Sequence, residues 1–298
     1  MMIHHNQCPA CGSQNIQFFS TIKDHSVTGE SFPVWACSDC HFRFTQDIPT
    51  QDMIGRYYQS EAYVSHTDST KGVINQLYHQ IRKFTIKQKC KLVAAKTGLN
   101  KGKMLDIGCG TGAFLHAMKV SGWDVVGLEP DDTAASIARE KYKLEPQSPD
   151  NLFRLEPNSF NAITMWHVLE HVHTLDAYVA QLHQLLTNNG VLFIAVPNYT
   201  SADASHYGTA WAAYDVPRHL YHFSPQSMKA LMNRHGFEVV QTKPMWFDAV
   251  YVSMLSEKYF TGKSRLLSAV FQGIRSNLKA LSAKDSCSSL IYMIKKKQ

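Results

Sequence analysis

The sequence predicts an α/β protein, a doubly wound sheet with helices on both faces, preceded by a small four-cysteine ribbon. Three observations carry this reading. A buried strand runs directly into a glycine loop and a helix at Lys103–Leu115, strand and helix patterns alternate from there towards the carboxyl end, and four of the seven cysteines stand as two C-x-x-C pairs near the amino end.

With 298 residues, 44% apolar and 18% charged, the chain has material for one large domain and a smaller one, and its composition excludes disordered, collagen-like and coiled-coil chains. The expected organisation is a ribbon over 1–50, a linker and lead-in helix over 51–100, and a large domain over 101–298 with a helical insertion at about 248–285. The net charge of +6 favours an anionic partner but falls well short of a nucleic-acid-binding stripe. The longest clean apolar run is Val191–Val196 and Met1–Cys8 holds no apolar signal region, so no transmembrane segment and a cytoplasmic location are expected. An odd number of cysteines without an export signal argues for metal binding or incidental thiols over disulfides.

Cys8-Pro9-Ala10-Cys11 and Cys37-Ser38-Asp39-Cys40 each place two thiolates on one tight turn, and two such turns supply the four soft ligands of a structural zinc. Gly12 suits the positive φ that such a turn needs. Ile16–Phe19 and Phe32–Ala36, around Thr28-Gly29-Glu30, read as two short strands and their turn. Four thiolates leave no open position, so the metal would be structural.

Gln51–Lys71, with Tyr57, Tyr58 and Tyr63, reads as a crossing to the large domain, and Gly72 to about Lys96 keeps helical spacing through Val73, Leu77, Ile81 and Phe84. The glycine loop Gly108-Cys109-Gly110-Thr111-Gly112 permits close backbone approach to a ligand, with the following helix offering its free N–H groups. Gly108-x-Gly110-x-x-Ala113 also satisfies the dinucleotide fingerprint. Asp106, just ahead of the glycines, would repel a pyrophosphate and suits the cationic amino-acid end of S-adenosylmethionine. Glu129, ending the next strand, is placed to accept both ribose hydroxyls, as either cofactor requires.

These residues resemble the class I S-adenosylmethionine-dependent methyltransferases: Leu105-Asp106-Ile107-Gly108-Cys109-Gly110-Thr111-Gly112 is similar to their first motif and Val126-Gly127-Leu128-Glu129-Pro130 to their second. Phe160-Asn161-Ala162-Ile163-Thr164-Met165 resembles their fourth strand, with Asn161 for the usual aspartate. The resemblance covers about Lys101–Pro244 and Cys287–Lys296. It implies a seven-stranded Rossmann-like sheet and S-adenosylmethionine as cofactor, held by Asp106, Gly108, Cys109, Gly110, Gly112 and Glu129, with Trp166 and His167 beside it. The third strand is poorly marked between Leu144 and Leu155.

His167-Val168-Leu169-Glu170-His171 also fits H-x-x-E-H, the inverted zinc-protease pattern, but follows a buried strand where that pattern needs a long helix. His171 reads either as a site residue or as a hydrogen-bonded structural histidine. Downstream, Tyr214–Pro225 resembles a segment of ubiquinone-type O-methyltransferases and of sugar methyltransferases in which a histidine lies near the acceptor, and His219 is the match. Arg218 stands where the ribbon-bearing sugar C-methyltransferases have glutamate, a departure that argues against C-methylation. A neutral His219 suits a base for an acceptor hydroxyl, while Arg218 either holds an anionic group of the acceptor or pairs with Asp215.

The expected activity is methyl transfer to a small-molecule or sugar acceptor at a hydroxyl. An RNA methyltransferase, a non-catalytic cofactor-fold binding protein and an NAD oxidoreductase are the alternatives; no Asn-Pro-Pro-aromatic or Pro-Cys motif follows the fourth strand to support RNA. In the insertion, Leu266, Leu267, Val270, Phe271, Ile274, Leu278 and Leu281 recur at helical spacing beside basic residues. Covering its own domain is the first reading of that helix, ahead of a lid, a dimer contact and attachment to an anionic membrane.

Overall fold

The computed structural model describes residues 2–59 and 73–297. Residues 60–72, Tyr63 included, lie outside the described residues, as do the side chains of Val73 and Leu77.

The amino-terminal segment forms β1 (Met2–Ile3), β2 (Ile16–Lys23), β3 (Ser31–Cys37), β4 (Arg43–Thr45) and β5 (Ile48–Pro49). β2 and β3 are the two expected ribbon strands, antiparallel from Ile16↔Cys37 to Lys23↔Ser31. Asp24 shapes the turn between them, its carboxylate accepting from the N–H groups of Ser26, Val27 and Thr28.

The alternating part follows as α1 (Val73–Thr97), β6 (Lys103–Ile107), α2 (Ala113–Val120), β7 (Asp124–Leu128), α3 (Asp132–Tyr142), β8 (Phe160–Trp166), α4 (Leu175–Leu185) and β9 (Leu186–Pro197). β9 starts at Leu186, so Asn189-Gly190, expected as the turn before a strand at Val191, lies within the strand. Asp131 caps α3 by accepting from Ala134 N–H at 2.8 Å. The remainder comprises α5 (Ala202–Tyr207), β10 (Tyr221–His222), α6 (Pro225–Arg234), β11 (Phe237–Pro244), α7 (Asp248–Thr261), α8 (Leu266–Ser282) and β12 (Ser289–Lys296).

The main sheet has the order β11-β12-β9-β8-β6-β7. Among the described residues it carries six strands where seven were expected. The place of the third strand is taken by a single parallel bridge, Leu128↔Gln147, because Pro146 and Pro149 flank Gln147 without N–H donors and the chain turns into a 3₁₀ helix at Pro149–Arg154. A second sheet, β10-β4-β3-β2, completes the ribbon with a strand from the acceptor loop: Tyr221 pairs with Phe44 and His222 with Arg43.

The chain forms two compact units: Met1–Ser65 with His167–Val179 and Ala195–Tyr292, and His66–Trp166 with Ala180–Ile194 and Met293–Gln298. In the second unit Met104, Leu105, Ala162, Ile163 and Leu192–Ile194 are fully buried, as central strands covered on both faces require. Each such Leu, Ile or Phe contributes about 1.5–3 kcal/mol. In the first unit Phe32 and Val34 of the ribbon share a core with Tyr207, Trp211, Tyr214 and Val216. α8 departs from expectation. Its small residues Ala269, Gly273, Ser276 and Ala280 are the buried ones, and a β-carbon at Gly273 would meet Val250 Cα at 2.7 Å, so α7 and α8 approach too closely for large side chains between them. The large apolar residues face outward.

Candidate functional site

Asp106 lies in β6, at the point where the sheet order reverses: β7 and β8 run parallel on either side of it, Ile107 level with Leu128 and with Met165. Ligands of such sheets collect beyond the carboxyl ends of these strands. Gly108, Gly110 and Gly112 all adopt positive φ. At Gly112 a β-carbon would meet Ala138 Cβ at 2.9 Å, whereas at Gly110 nothing lies within 4 Å, so the loop is tight at its base and open at its tip. Glu129 holds this loop, accepting from Gly110 N–H at 2.6 Å and from Asp131 N–H at 2.9 Å. Cys109 is buried, its sulfur 2.9 Å from where a β-carbon on Gly127 would be. The Trp166 indole N–H is buried without a hydrogen-bond partner among the described residues, and Lys89 Nζ sits 4.2 Å above the ring centre. An open glycine cradle between two carboxyl groups, with a spare buried donor, suits an adenosyl amino acid.

Asp106 is fully buried and accepts from Thr164 Oγ1 at 2.6 Å. Burial pushes its pKa up to about 7, the Thr164 hydrogen bond working the other way. A cationic ligand group needs the ionised form, which here dominates only above about pH 7. S-adenosylhomocysteine affinity is therefore expected to weaken about tenfold from pH 8 to pH 6, and Asp106→Asn to flatten that profile in calorimetric titration. A wild-type profile already flat would remove Asp106 from the site.

The first unit gathers a second set of groups. His167 has left-handed backbone, φ 59°, and its ring lies between two carboxylates, Nδ1 3.4 Å from Glu170 and Nε2 3.0 Å from Asp248. Burial disfavours the charged ring, but the Asp248 and Glu170 carboxylates outweigh it and push His167 up to about 10. Among the described residues neither oxygen of the fully buried Glu170 has a hydrogen-bond partner beyond the His167 ion pair. Burial alone would raise the Glu170 pKa, yet His167 and His171 hold it below the ordinary value. Burial, followed by the neighbouring His219, lowers His171 to about 4.

His171 and His219 stand edge to face with ring centres 4.7 Å apart. His171 Nδ1 lies 2.9 Å from the Arg218 carbonyl oxygen and His219 Nδ1 2.8 Å from that of Ala213. Carbonyls only accept, so each Nδ1 carries the proton and the neutral ring presents its lone pair at Nε2. One ring nitrogen of each and a Glu170 carboxylate oxygen lie within 4.8 Å of one another. The ribbon helps to set this loop: Thr45 Oγ1 donates to His219 O at 2.8 Å and Thr45 N–H to Leu220 O at 2.9 Å.

Arg218 turns the other way. Its guanidinium is buried and donates to Asp215 at 2.6 and 3.0 Å, Asp24 at 3.0 Å, the Tyr57 carbonyl at 2.6 Å and Ser26 Oγ. Of its two sequence readings the structure shows the ion pair with Asp215, extended to Asp24.

The four ribbon cysteines converge with all Sγ atoms within 4.8 Å, Cys8–Cys40 and Cys11–Cys37 each at 3.6 Å. Tetrahedral zinc with Zn–S near 2.3 Å places its sulfurs about 3.8 Å apart, whereas a disulfide needs about 2.05 Å. Each knuckle closes with the same turn, Gly12 N–H to Cys8 O at 2.8 Å and His41 N–H to Cys37 O at 3.0 Å, with Gly12 and His41 both at positive φ.

A family model described as a methyltransferase domain matches residues 78–242, more than half of the chain. The chain belongs to the methyltransferase family. It is a class I, S-adenosylmethionine-dependent member. The methyltransferase is 30% identical over 170 residues to the ubiquinone biosynthesis O-methyltransferase of Xanthomonas campestris pv. campestris, covering 52% of this chain and 71% of that one. To the same enzyme of Pasteurella multocida it is 33% identical over 120 residues, covering 35% and 49%. Among solved structures, a SAM-dependent methyltransferase from Archaeoglobus fulgidus shares the fold with TM-score 0.50, 18% identity and coverage of 72% and 94%. Magnesium protoporphyrin IX methyltransferase from Synechocystis PCC 6803 does so with TM-score 0.53, 13% identity and coverage of 81% and 97%.

In each unit, groups that shape its own cluster escaped the sequence reading. Thr164 and Glu170 lay inside quoted motifs, but only the fold shows their partners. Asp24 and Asp248 carried no local signal. Asn161, by contrast, has a structural account: its side-chain oxygen accepts from Lys103 N–H at 2.9 Å.

Proposed function

We propose that the protein methylates a hydroxyl group of a small-molecule or sugar acceptor, with His219 as the base. S-adenosylmethionine, when bound, supplies a methyl group already activated on a sulfonium. Asp106 would hold its ammonium, Glu129 its ribose hydroxyls and the Gly108–Gly112 backbone its amino-acid end. What remains is to orient the acceptor and remove its proton. The observation that supports this reading is the fixed tautomer of His219: its Nδ1–H is committed to Ala213 O, which leaves Nε2 as the lone pair able to take a proton, with the buried Glu170 carboxylate near enough to stabilise the resulting imidazolium. The names of the curated relatives, ubiquinone biosynthesis O-methyltransferases, support oxygen as the atom methylated. In this reading the four ribbon thiolates hold a structural zinc.

His219→Ala is expected to lower kcat by roughly 10²- to 10⁴-fold while S-adenosylhomocysteine affinity stays within a factor of about two. A variant with unchanged kcat on an identified acceptor would refute the base. A second reading has its own observation: Glu170, His171 and His219 offer one carboxylate and two imidazoles, each Nδ1 on a backbone carbonyl as metal-binding histidines arrange it. Metal content distinguishes the two. One zinc per chain in wild type and in His219→Ala supports the base, and two falling to one supports a second metal.

A further inference from the structure

An ordinary surface helix buries its large apolar residues; α8 does the reverse. Leu267 is 87% exposed, and Phe271, Ile274, Leu278 and Leu281 are 64, 49, 60 and 66% exposed, while Ala269, Gly273, Ser276 and Ala280 are buried, Gly273 against Val250 of α7 and Ser276 donating to Asp203 of α5 at 2.6 Å. At 100° per residue the five large side chains form one stripe opposite the buried face. α7 and the first residue of α8 add exposed Met254, Phe260 and Leu266. A contiguous apolar surface of this kind marks an interaction site.

The charge around it identifies the partner. From Asp248 to Ala283 the chain carries Lys258, Lys263, Arg265, Arg275 and Lys279 against two acids; Asp248 pairs with His167 at 3.0 Å, and Glu257 is buried, accepting from the Tyr207 hydroxyl at 3.2 Å. None of the five cations has an ion-pair partner among the described residues. Arg275 and Lys279 project on the flank of α8, about 100° from the stripe, and with Ser205, His206 and Gln272 line a cleft of about 190 Å³. An apolar ridge bordered by a cleft rich in donors is the form of a helix that lies in a lipid interface, apolar side in the acyl boundary and cations at the headgroups. The 4-3-4-3 spacing of the stripe would also serve a paired helix, but a second copy would bring the same uncompensated cations face to face. Among the described residues no helix is long and apolar enough to cross a membrane.

We propose that the α7–α8 pair docks on the surface of a bilayer containing anionic phospholipids, with Leu267, Phe271, Ile274, Leu278 and Leu281 entering the acyl boundary and the Arg275–Lys279 cleft taking a headgroup phosphate. This holds whatever acceptor the enzyme methylates.

The test is co-sedimentation of the full chain with phosphatidylcholine vesicles, with or without one-third phosphatidylglycerol, alongside analytical ultracentrifugation without lipid. Strong binding to the anionic vesicles and weak binding to the neutral ones is expected. Arg275→Gln with Lys279→Gln should weaken binding roughly 30-fold, and Leu267→Gln with Leu278→Gln should abolish it. Both double variants replace exposed residues, so unchanged melting temperature and S-adenosylhomocysteine affinity certify their fold. Failure to bind anionic vesicles, equal binding to both kinds, or a dimer in ultracentrifugation that the leucine variants dissociate while no vesicle binds would each overturn the proposal.

Discussion

Replacing Arg218 by alanine is expected to lower the melting temperature by roughly 10 °C. The side chain is 1% exposed and joins two carboxylates, Asp24 and Asp215, with a backbone carbonyl and a hydroxyl. Removing one partner of a buried pair costs about 3–5 kcal/mol because the other charge stays behind without compensation. Burial by itself would raise the Asp24 pKa, but the Arg218 hydrogen bond and the Thr28 N–H outweigh it and hold Asp24 below the usual carboxylate range. A depressed folded pKa means that this contribution is complete above the ordinary pKa near 4 and is lost only in stronger acid. Lysine at 218 should recover little, since one ammonium cannot replace a planar fork that donates in several directions. Differential scanning calorimetry measures the effect; a shift below about 2 °C would show that the network contributes little.

The second large effect is expected at the ribbon thiols. Cys37→Ser should abolish the zinc binding proposed for the four thiolates, measured as metal per chain, and lower turnover by at least about a hundredfold, the scale of a misplaced catalytic group. β4, which follows Cys40 directly, carries the Thr45 contacts to His219 and Leu220. The Cys40 hydrogen bond outweighs burial and lowers the Cys8 pKa, which favours the thiolate form that a metal ligand needs. S-adenosylhomocysteine affinity, a property of the glycine loop, should stay within about twofold. Turnover that survives complete loss of metal would separate the ribbon from catalysis.

The parts of the site legible in the sequence are those whose geometry is local. Two thiolates on a two-residue spacing, three glycines between a strand and a helix, and an acid ending the next strand each write their conformation into a few consecutive residues. Arg218 shows where that ends. Its nearer partner Asp215 lies on the same turn and was among the readings, whereas Asp24 is a ribbon residue brought to it only by tertiary folding. The third strand failed for a local reason, the two prolines around Gln147. α8 is the opposite case: its periodicity was read correctly, but periodicity gives the existence of a stripe and not the side on which a neighbour sits. Gly273 and the alanines flanking it, too small to register in a hydrophobic pattern, set the direction.

The two-residue strand β10 bears on how this chain can be cut. Tyr221 and His222 complete a sheet whose other strands come from the first fifty residues, and Phe42 packs on Tyr221 and Phe223 at 5.6 and 5.2 Å. A truncated protein confined to the span matched by the methyltransferase family would keep these two aromatic rings but lose the side chain that covers them, and would expose a strand edge able to pair with another molecule. Domain exchange among relatives therefore has to move the ribbon and the 214–223 loop together.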